Sequence, residues 1–265
     1  MPWIWQCHID LSEPHPPAWD YVRRFVEKYS AVAFSLPDYA QDLRIPQRFI
    51  SPAINPFSVK NRELSEDQIR ACLAYHRIPT DRPLVVQISR FDRWKDPGGV
   101  IEAVRLAHKH VDCTLVLLGN TAVDDPEAEA ILETILSSAD ERIVVVSVED
   151  SLLVNALQRQ AAVVLQKSIR EGFGLTVTEA MWKGAAVIGG NVAGIRRQII
   201  DGENGFLVET VEQTAERLVQ LLQAPALRQR IGAAARETVR NNFLLSRLAE
   251  DWIGLLGSPI DPEAA

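Results

Sequence analysis

Two carboxylates, Glu171 and Glu179, stand eight positions apart in the stretch SIREGFGLTVTEA (168–180), on either side of a turn bracketed by Gly172 and Gly174. A carboxylate on the exit loop of a buried strand costs desolvation energy unless it is paired or touches solvent or a ligand. It repels phosphate, but it accepts hydrogen bonds well from sugar hydroxyls. The glycines allow a tight backbone turn before a helix that begins near Thr176. Unpaired N–H groups at such a helix start, together with the helix dipole, suit an anion. Neither GxGxxG nor GxxxxGK[ST] occurs in the chain, so phosphate binding here would rest on the backbone turn itself. A second reading is open for Glu179, because Thr176 followed three residues later by Glu179 also fits a capping box.

A second constellation lies in RFDRWKDPGG, which follows the apolar run 83–89. Arg90 and Lys95 on that loop suit a diphosphate, the arginine as a fork and the lysine as a point charge. Asp96 and Pro97 read as the N-cap and first residue of the next helix. A solvated basic loop with Arg93 as its third member is the alternative. Taken together, the two acids and two cations fit a ligand with hydroxyls at both ends and a diphosphate between them, the outline of a nucleotide sugar.

Such groups need strands and helices to position them. Continuous apolar runs at 83–89, 113–119, 142–148, 161–166 and 185–190 alternate with helical patterns near 97–110, 126–138 and 150–160, with a further short strand at 205–208. Buried strands alternating with helices predict an α/β fold with a doubly wound parallel sheet, whose ligands bind outside the carboxyl ends of the strands. SEDQIRACLAYHRI (65–78) reads as a helix capped by Ser65, and helices at 211–223, 225–241 and 244–256 complete the pattern. Before residue 63, strands at 3–8 and 31–36, a helical stretch at 16–30 and an apolar segment RFISPAI (48–54) make about two βα units. The expected organisation is residues 1–55 as about two βα units, too few to close a domain, 56–240 as a Rossmann-like domain, and 241–257 as a last amphipathic helix. Only the SPIDPEAA tail reads as disordered.

The 265 residues are 47% hydrophobic and 24% charged, with a formal net charge of −7. There is no overall basic field to hold nucleic acid, and no run of apolar residues long enough for a membrane span. Cys7, Cys72 and Cys113 are few and scattered, which predicts neither a disulfide framework nor a zinc site. The N-terminus lacks the basic and apolar regions of a signal peptide, so a cytoplasmic setting is expected. A signalling or redox Rossmann domain is disfavoured by the lack of a receiver-type acidic cluster or a dinucleotide fingerprint.

The E-x7-E spacing of Glu171 and Glu179, with the run SIREGFGLTVTEAMWKGAAVIGGNVAGIRRQIIDGENGFLV (168–208), resembles the donor-binding core of retaining glycosyltransferases of the GT-B fold, glycosyltransferase family 4. The resemblance extends over most of residues 65–257. It implies that Glu171 contacts the donor sugar hydroxyls, that the N–H groups of Phe173, Gly174 and Leu175 meet sugar and diphosphate, and that Glu179 holds the ribose. Arg90 and Lys95 become diphosphate ligands. WIWQCHIDLSEP, FVEKYSAVAFSLPDY, ISPAINPFSVKNREL and DDPEAE (124–129) resemble the trehalose synthases of that family, which join an NDP-glucose to glucose.

On that likeness, His8 reaches the donor 6-hydroxyl or assists near the anomeric carbon, whereas its residue surroundings alone suggest a core histidine beside Trp5. The implied enzyme is a metal-independent hexosyltransferase without cofactor, its donor ADP-, UDP- or GDP-glucose and its acceptor a small sugar. The leaving phosphate serves as base in a front-face attack, so no side chain is assigned as nucleophile. A retaining trehalose phosphorylase and a non-catalytic nucleotide-sugar-binding chain are the alternatives. The second arises because residues 1–55 look like only the last third of an acceptor-side domain, which also predicts self-association through the uncovered face. One departure is Ala193–Gly194, where relatives commonly carry a Gly-Gly pair.

Overall fold

The computed structural model describes residues 3–120 and 126–257, the side chains of 126–128 excepted. The SPIDPEAA tail and the first residues of DDPEAE lie outside the described residues. The chain runs β1 (Ile4–Cys7), α1 (Pro16–Val26), β2 (Ala31–Phe34), β3 (Gln47–Phe49), α2 (Glu66–Tyr75), β4 (Leu84–Ile88), α3 (Pro97–Ala107), β5 (Thr114–Gly119), α4 (Pro126–Ser137) and β6 (Ile143–Ser147). It continues through α5 (Ser151–Gln160), β7 (Val163–Gln166), α6 (Leu175–Trp182), β8 (Ala186–Gly190), α7 (Ala193–Arg196), β9 (Phe206–Val208), α8 (Val211–Gln223), α9 (Pro225–Asn242) and α10 (Leu245–Gly257).

Two parallel sheets result, a three-stranded one ordered β1-β2-β3 and a six-stranded one ordered β6-β5-β4-β7-β8-β9. Strands β4, β5, β7 and β8 read as unbroken apolar runs because helices cover both of their faces. On one face Leu115, Leu117 and Leu165 pack with Val100 and Val104 of α3 and Leu218 and Leu221 of α8. The other face is covered in two parts. Val86, Val116 and Leu118 meet Leu73 of α2 and Leu153 and Leu157 of α5. Val164 and Val187 meet Val177 and Met181 of α6 and Val239 of α9, and this cluster continues into Val32, Phe34 and Tyr39 of the smaller sheet's layer. One apolar core therefore spans both sheets.

Local signals set the helix ends. Ser65 Oγ accepts from the Gln68 N–H while Gln68 Oε1 accepts from the Ser65 N–H, a reciprocal box at the start of α2. Asp96 caps α3 ahead of Pro97, as its sequence predicts. The helical stretch predicted over 16–30 stops at Val26, and RFISPAI is a strand only through Phe49, with the Ile50 N–H making a last bond to Phe34 O at 2.8 Å. Helix α10 returns over the three-stranded sheet, where Leu255, Leu248 and Trp252 pack on Ala33 and Ile50. Its approach is fixed by the Ile54 N–H donating to Phe243 O at 2.9 Å and by Arg247 donating to Ser51 O at 2.7 Å.

The strand order reverses between β4 and β7. Chain connections leave these neighbours in opposite directions, which opens a crevice at their carboxyl ends. The loops after β4 and β7 carry the two constellations found in the sequence.

Candidate active site

The two loops are fastened to each other before any ligand is considered. The Ile169 N–H donates to Trp94 O at 2.9 Å, and Gln87 Nε2 donates to Lys95 O at 3.0 Å. Lys95 Nζ meets Glu171 Oε2 at 2.5 Å, and Ser168 Oγ donates to the same oxygen at 3.2 Å. With both side chains of the pair largely buried, the ion pair offsets the desolvation of each.

The loop after β1 closes the opposite side. Tyr39 Oη donates to Glu171 O at 2.9 Å, and a Cβ on Gly172 would stand 2.6 Å from His8 O. Only glycine permits that approach. Arg170 bridges the same gap, its Nε 3.4 Å from Asp10 Oδ2 and its Nη2 donating to Glu13 O at 3.0 Å. Between these walls lies a cleft of about 900 Å³. His8, Arg90, Lys95, Glu171, Phe173, Gly174 and Leu175 all line it.

Two expectations are corrected by this geometry. His8 is exposed in the cleft and is not a core histidine, because β1 ends at Cys7, which takes the inward-facing position. Thr176 and Glu179 form no capping box, because Gly174, in the left-handed region at φ 85°, is itself the N-cap of α6 and starts the helix upstream of Thr176. No side chain caps that terminus, and among the described residues none accepts from the N–H groups of Phe173, Gly174 or Leu175. All three residues line the cleft.

The turn is rigid for reasons that no local pattern announces. Gln198 Nε2 donates to the carbonyls of Phe173, Gly174 and Gly194, and its Oε1 accepts from Thr178 Oγ1 at 2.6 Å. The Phe173 ring packs on Phe243 with centroids 5.6 Å apart. A Cβ on Gly194 would fall 2.7 Å from Glu171 O, so the Ala193–Gly194 step keeps its glycine at the crowded position. Arg170, Asp10, Tyr39 and Gln198 escape the sequence reading because the contacts that tie them to the site, Arg170–Asp10, Tyr39–Glu171 and Gln198–Thr178, span 20 or more residues. Trp94 could have been noticed as an aromatic between the loop cations: Arg93 and Arg170 stack over its ring at 4.5 and 5.6 Å.

Glu179 is the one predicted site residue outside the main cleft. It lines an adjoining pocket of about 320 Å³ with Asn55, Ser58, Lys60 and Ser151, and Leu175 lines both cavities. Burial pushes its carboxyl above the ordinary range, against the opposing pull of Lys60 and Lys183. Lys60 Nζ stands 3.7 Å from Glu179 Oε1. Lys183, at the C-cap of α6, donates to Asn61 Oδ1 at 2.9 Å, Gln158 Oε1 at 2.8 Å and Glu179 O at 3.1 Å. Its burial pulls the ammonium down to about 7.

A doubly wound sheet with such a cleft at its switch point defines a GT-B type α/β protein, and residues 72–238 match the family described as Glycosyl transferases group 1. The chain belongs to that family. Residues 1–41 also match the family described as Trehalose synthase, N-terminal domain. The trehalose synthase of Pyrococcus horikoshii is 43% identical over 266 residues, covering 97% of this chain and 64% of the relative. That of Rubrobacter xylanophilus is 39% identical over 261 residues, covering 96% and 62%. The chain thus spans a little under two thirds of the length of these relatives. Among solved structures, Anabaena HepE in complex with UDP and glucose shares the fold with a TM-score of 0.82 at 16% identity, over 97% of this chain and 71% of that one. Among the described residues no helix is long and apolar enough to cross a membrane.

Proposed function

We propose that the chain carries the donor site of a retaining glycosyltransferase that moves glucose from an NDP-glucose to glucose, giving trehalose. The observation that carries this reading is the Lys95–Glu171 pair held at the uncapped start of α6, with Arg90 on the same rim and His8 on the facing loop. A diphosphate placed there meets Lys95, Arg90, the free amides of Phe173 to Leu175 and the positive end of the helix dipole. Charge that develops on the leaving diphosphate is stabilised by groups already in position, which lowers the barrier without reorganisation at the moment of reaction. Glu171 accepts from the hydroxyls of the transferred sugar, His8 faces that sugar from the other wall, and Glu179 in the adjoining pocket accepts from the ribose. The kinship with trehalose synthases supports glucose as both transferred unit and acceptor. The likeness in fold to a protein solved with UDP and glucose supports a nucleotide sugar as donor.

The test is product analysis. Purified chain incubated with ADP-, UDP- or GDP-glucose and glucose is expected to release trehalose and the matching nucleoside diphosphate. Glucose 1-phosphate formed from trehalose and phosphate, with no trehalose from any sugar nucleotide, would make the protein a phosphorylase instead. Binding of the donor without turnover would reduce it to a binding module.

A further inference from the structure

Asp92 is buried in the wall of the cleft, with 8% of its surface exposed, between the two loop cations in the run Arg90-Phe91-Asp92-Arg93-Trp94-Lys95. Phe91 is turned into the core and its N–H donates to Asn120 O at 3.1 Å, so the loop is pinned at that residue. The two carboxylate oxygens of Asp92 then do different things. Oδ1 accepts from the N–H groups of Trp94 at 2.9 Å and Lys95 at 3.2 Å, capping the 3-10 turn Arg93–Lys95. Oδ2 is fully buried and receives no hydrogen bond from any described residue. Its cationic neighbour is Arg90, whose Nη2 lies 3.5 Å away. Lys95 is held at its ammonium by Glu171 and at its carbonyl by Gln87. Arg90 has no comparable support: its side chain is 65% exposed and Asp92 is its ion-pair partner.

We infer that Asp92 is the positioning residue that sets Arg90 and Lys95 in register as a diphosphate clamp. A carboxylate lining an anion site is unfavourable unless a cation stands between it and the anion. Arg90 takes that place, with one edge of its guanidinium toward Oδ2 and the other left to a phosphate oxygen. Through Oδ1 the same side chain fixes the turn from which Lys95 projects. Without the negative charge, the long arginine side chain must be ordered by the ligand itself. This role rests on the proposed use of Arg90 and Lys95 as diphosphate ligands.

Calorimetric titration with inorganic pyrophosphate tests it in the parent chain, Asp92→Asn, Arg90→Ala and the double variant. Asparagine keeps an oxygen for the turn, so thermal melting should stay close to that of the parent, while pyrophosphate binds about tenfold more weakly. In the Arg90→Ala background the same change should cost nothing further, since the effect passes through Arg90. Asp92→Ser, which also retains a capping oxygen, gives the same pattern should the asparagine variant fail to fold. In turnover, Asp92→Asn raises the KM for the sugar nucleotide and leaves the KM for the acceptor unchanged. Unaltered pyrophosphate binding by Asp92→Asn, an equal loss in the Arg90→Ala background, or no pyrophosphate binding by the parent would overturn the inference. A parent that binds pyrophosphate with the expected coupling but binds no sugar nucleotide would instead overturn the donor-site reading and leave the role of Asp92 standing.

Discussion

Lys95 and Glu171 compensate each other's charge in a place that solvent barely reaches. Truncating one member of such a pair strands the other, a loss of about 3–5 kcal/mol when burial is complete and correspondingly less at a cleft wall. Lys95→Ala should therefore lower folding stability by roughly 1–3 kcal/mol and weaken diphosphate binding by at least about tenfold. Chemical denaturation and calorimetry measure the two effects separately. Glu171→Gln replaces one carboxylate oxygen with a donor and removes the charge that strengthens hydrogen bonds from sugar hydroxyls, while freeing Lys95 for phosphate. It should therefore spare the affinity for the nucleoside diphosphate while weakening that for its glucose conjugate. Equal losses for both ligands would remove Glu171 from the sugar. At this scale the sequence was informative about residue types and poor about partners. The E-x7-E spacing exposes Glu171 and Glu179, but nothing in the local pattern couples Glu179 to Lys60, which lies in another part of the chain.

The element on which the site depends is α6, and its two ends are built differently. At its N-terminal end the turn through Gly172 and Gly174 is pressed against Gly194 and held by Gln198. Gly194→Ala puts a methyl group 2.7 Å from the Glu171 carbonyl, and overpacking of that kind costs about 1–3 kcal/mol. Gly254→Ala in α10 meets nothing within 4 Å among the described residues and should be neutral or stabilising by up to about 1 kcal/mol. Melting temperatures of the two variants check this contrast. At its C-terminal end Lys183 brings a pH dependence. Burial depresses its ammonium to about 7, against roughly 10.4 in an unfolded chain. Below about pH 7 the lysine is protonated in both states and the burial penalty is complete; between the two values the unfolded chain holds a proton that the folded chain lacks, so stability rises with pH. Urea midpoints at pH 7 and pH 9 should show that rise, and Lys183→Met should flatten it. The strands of this layer were legible because burial on both faces makes them continuous apolar runs, and the glycines announced a turn. The start of α6 was placed within one residue, but its cap was not: the left-handed Gly174 takes the N-cap position that the Thr176–Glu179 pattern suggested for a side chain, a backbone event invisible in the side-chain pattern.

Across the whole molecule, one core joins the three-stranded and six-stranded sheets, so the loop after β1 and the loop after β7 face each other across a fixed gap. The parallel doubly wound sheet followed from the alternation of strands and helices, and with it the placing of the site on loops at the strands' carboxyl ends; the strand order β6-β5-β4-β7-β8-β9, which puts the switch point between β4 and β7, did not. The position of His8 did not, because it depends on how one sheet rests on the other. The lining of the cleft is electrically divided. Its Lys and Arg residues, Arg90, Lys95 and Arg170, come from the six-stranded side, while the stretch from Trp5 to Val22 contributes Asp10 and Glu13 and neither Lys nor Arg. The most direct measurement is calorimetric titration of the folded chain with ADP, UDP and GDP and their glucose conjugates, with Lys95→Ala and Glu179→Ala in parallel. We predict selective binding of one nucleotide and its conjugate, weakened by both substitutions. Absence of binding to all of them, or binding that neither substitution disturbs, would contradict a donor site at the β4–β7 crevice.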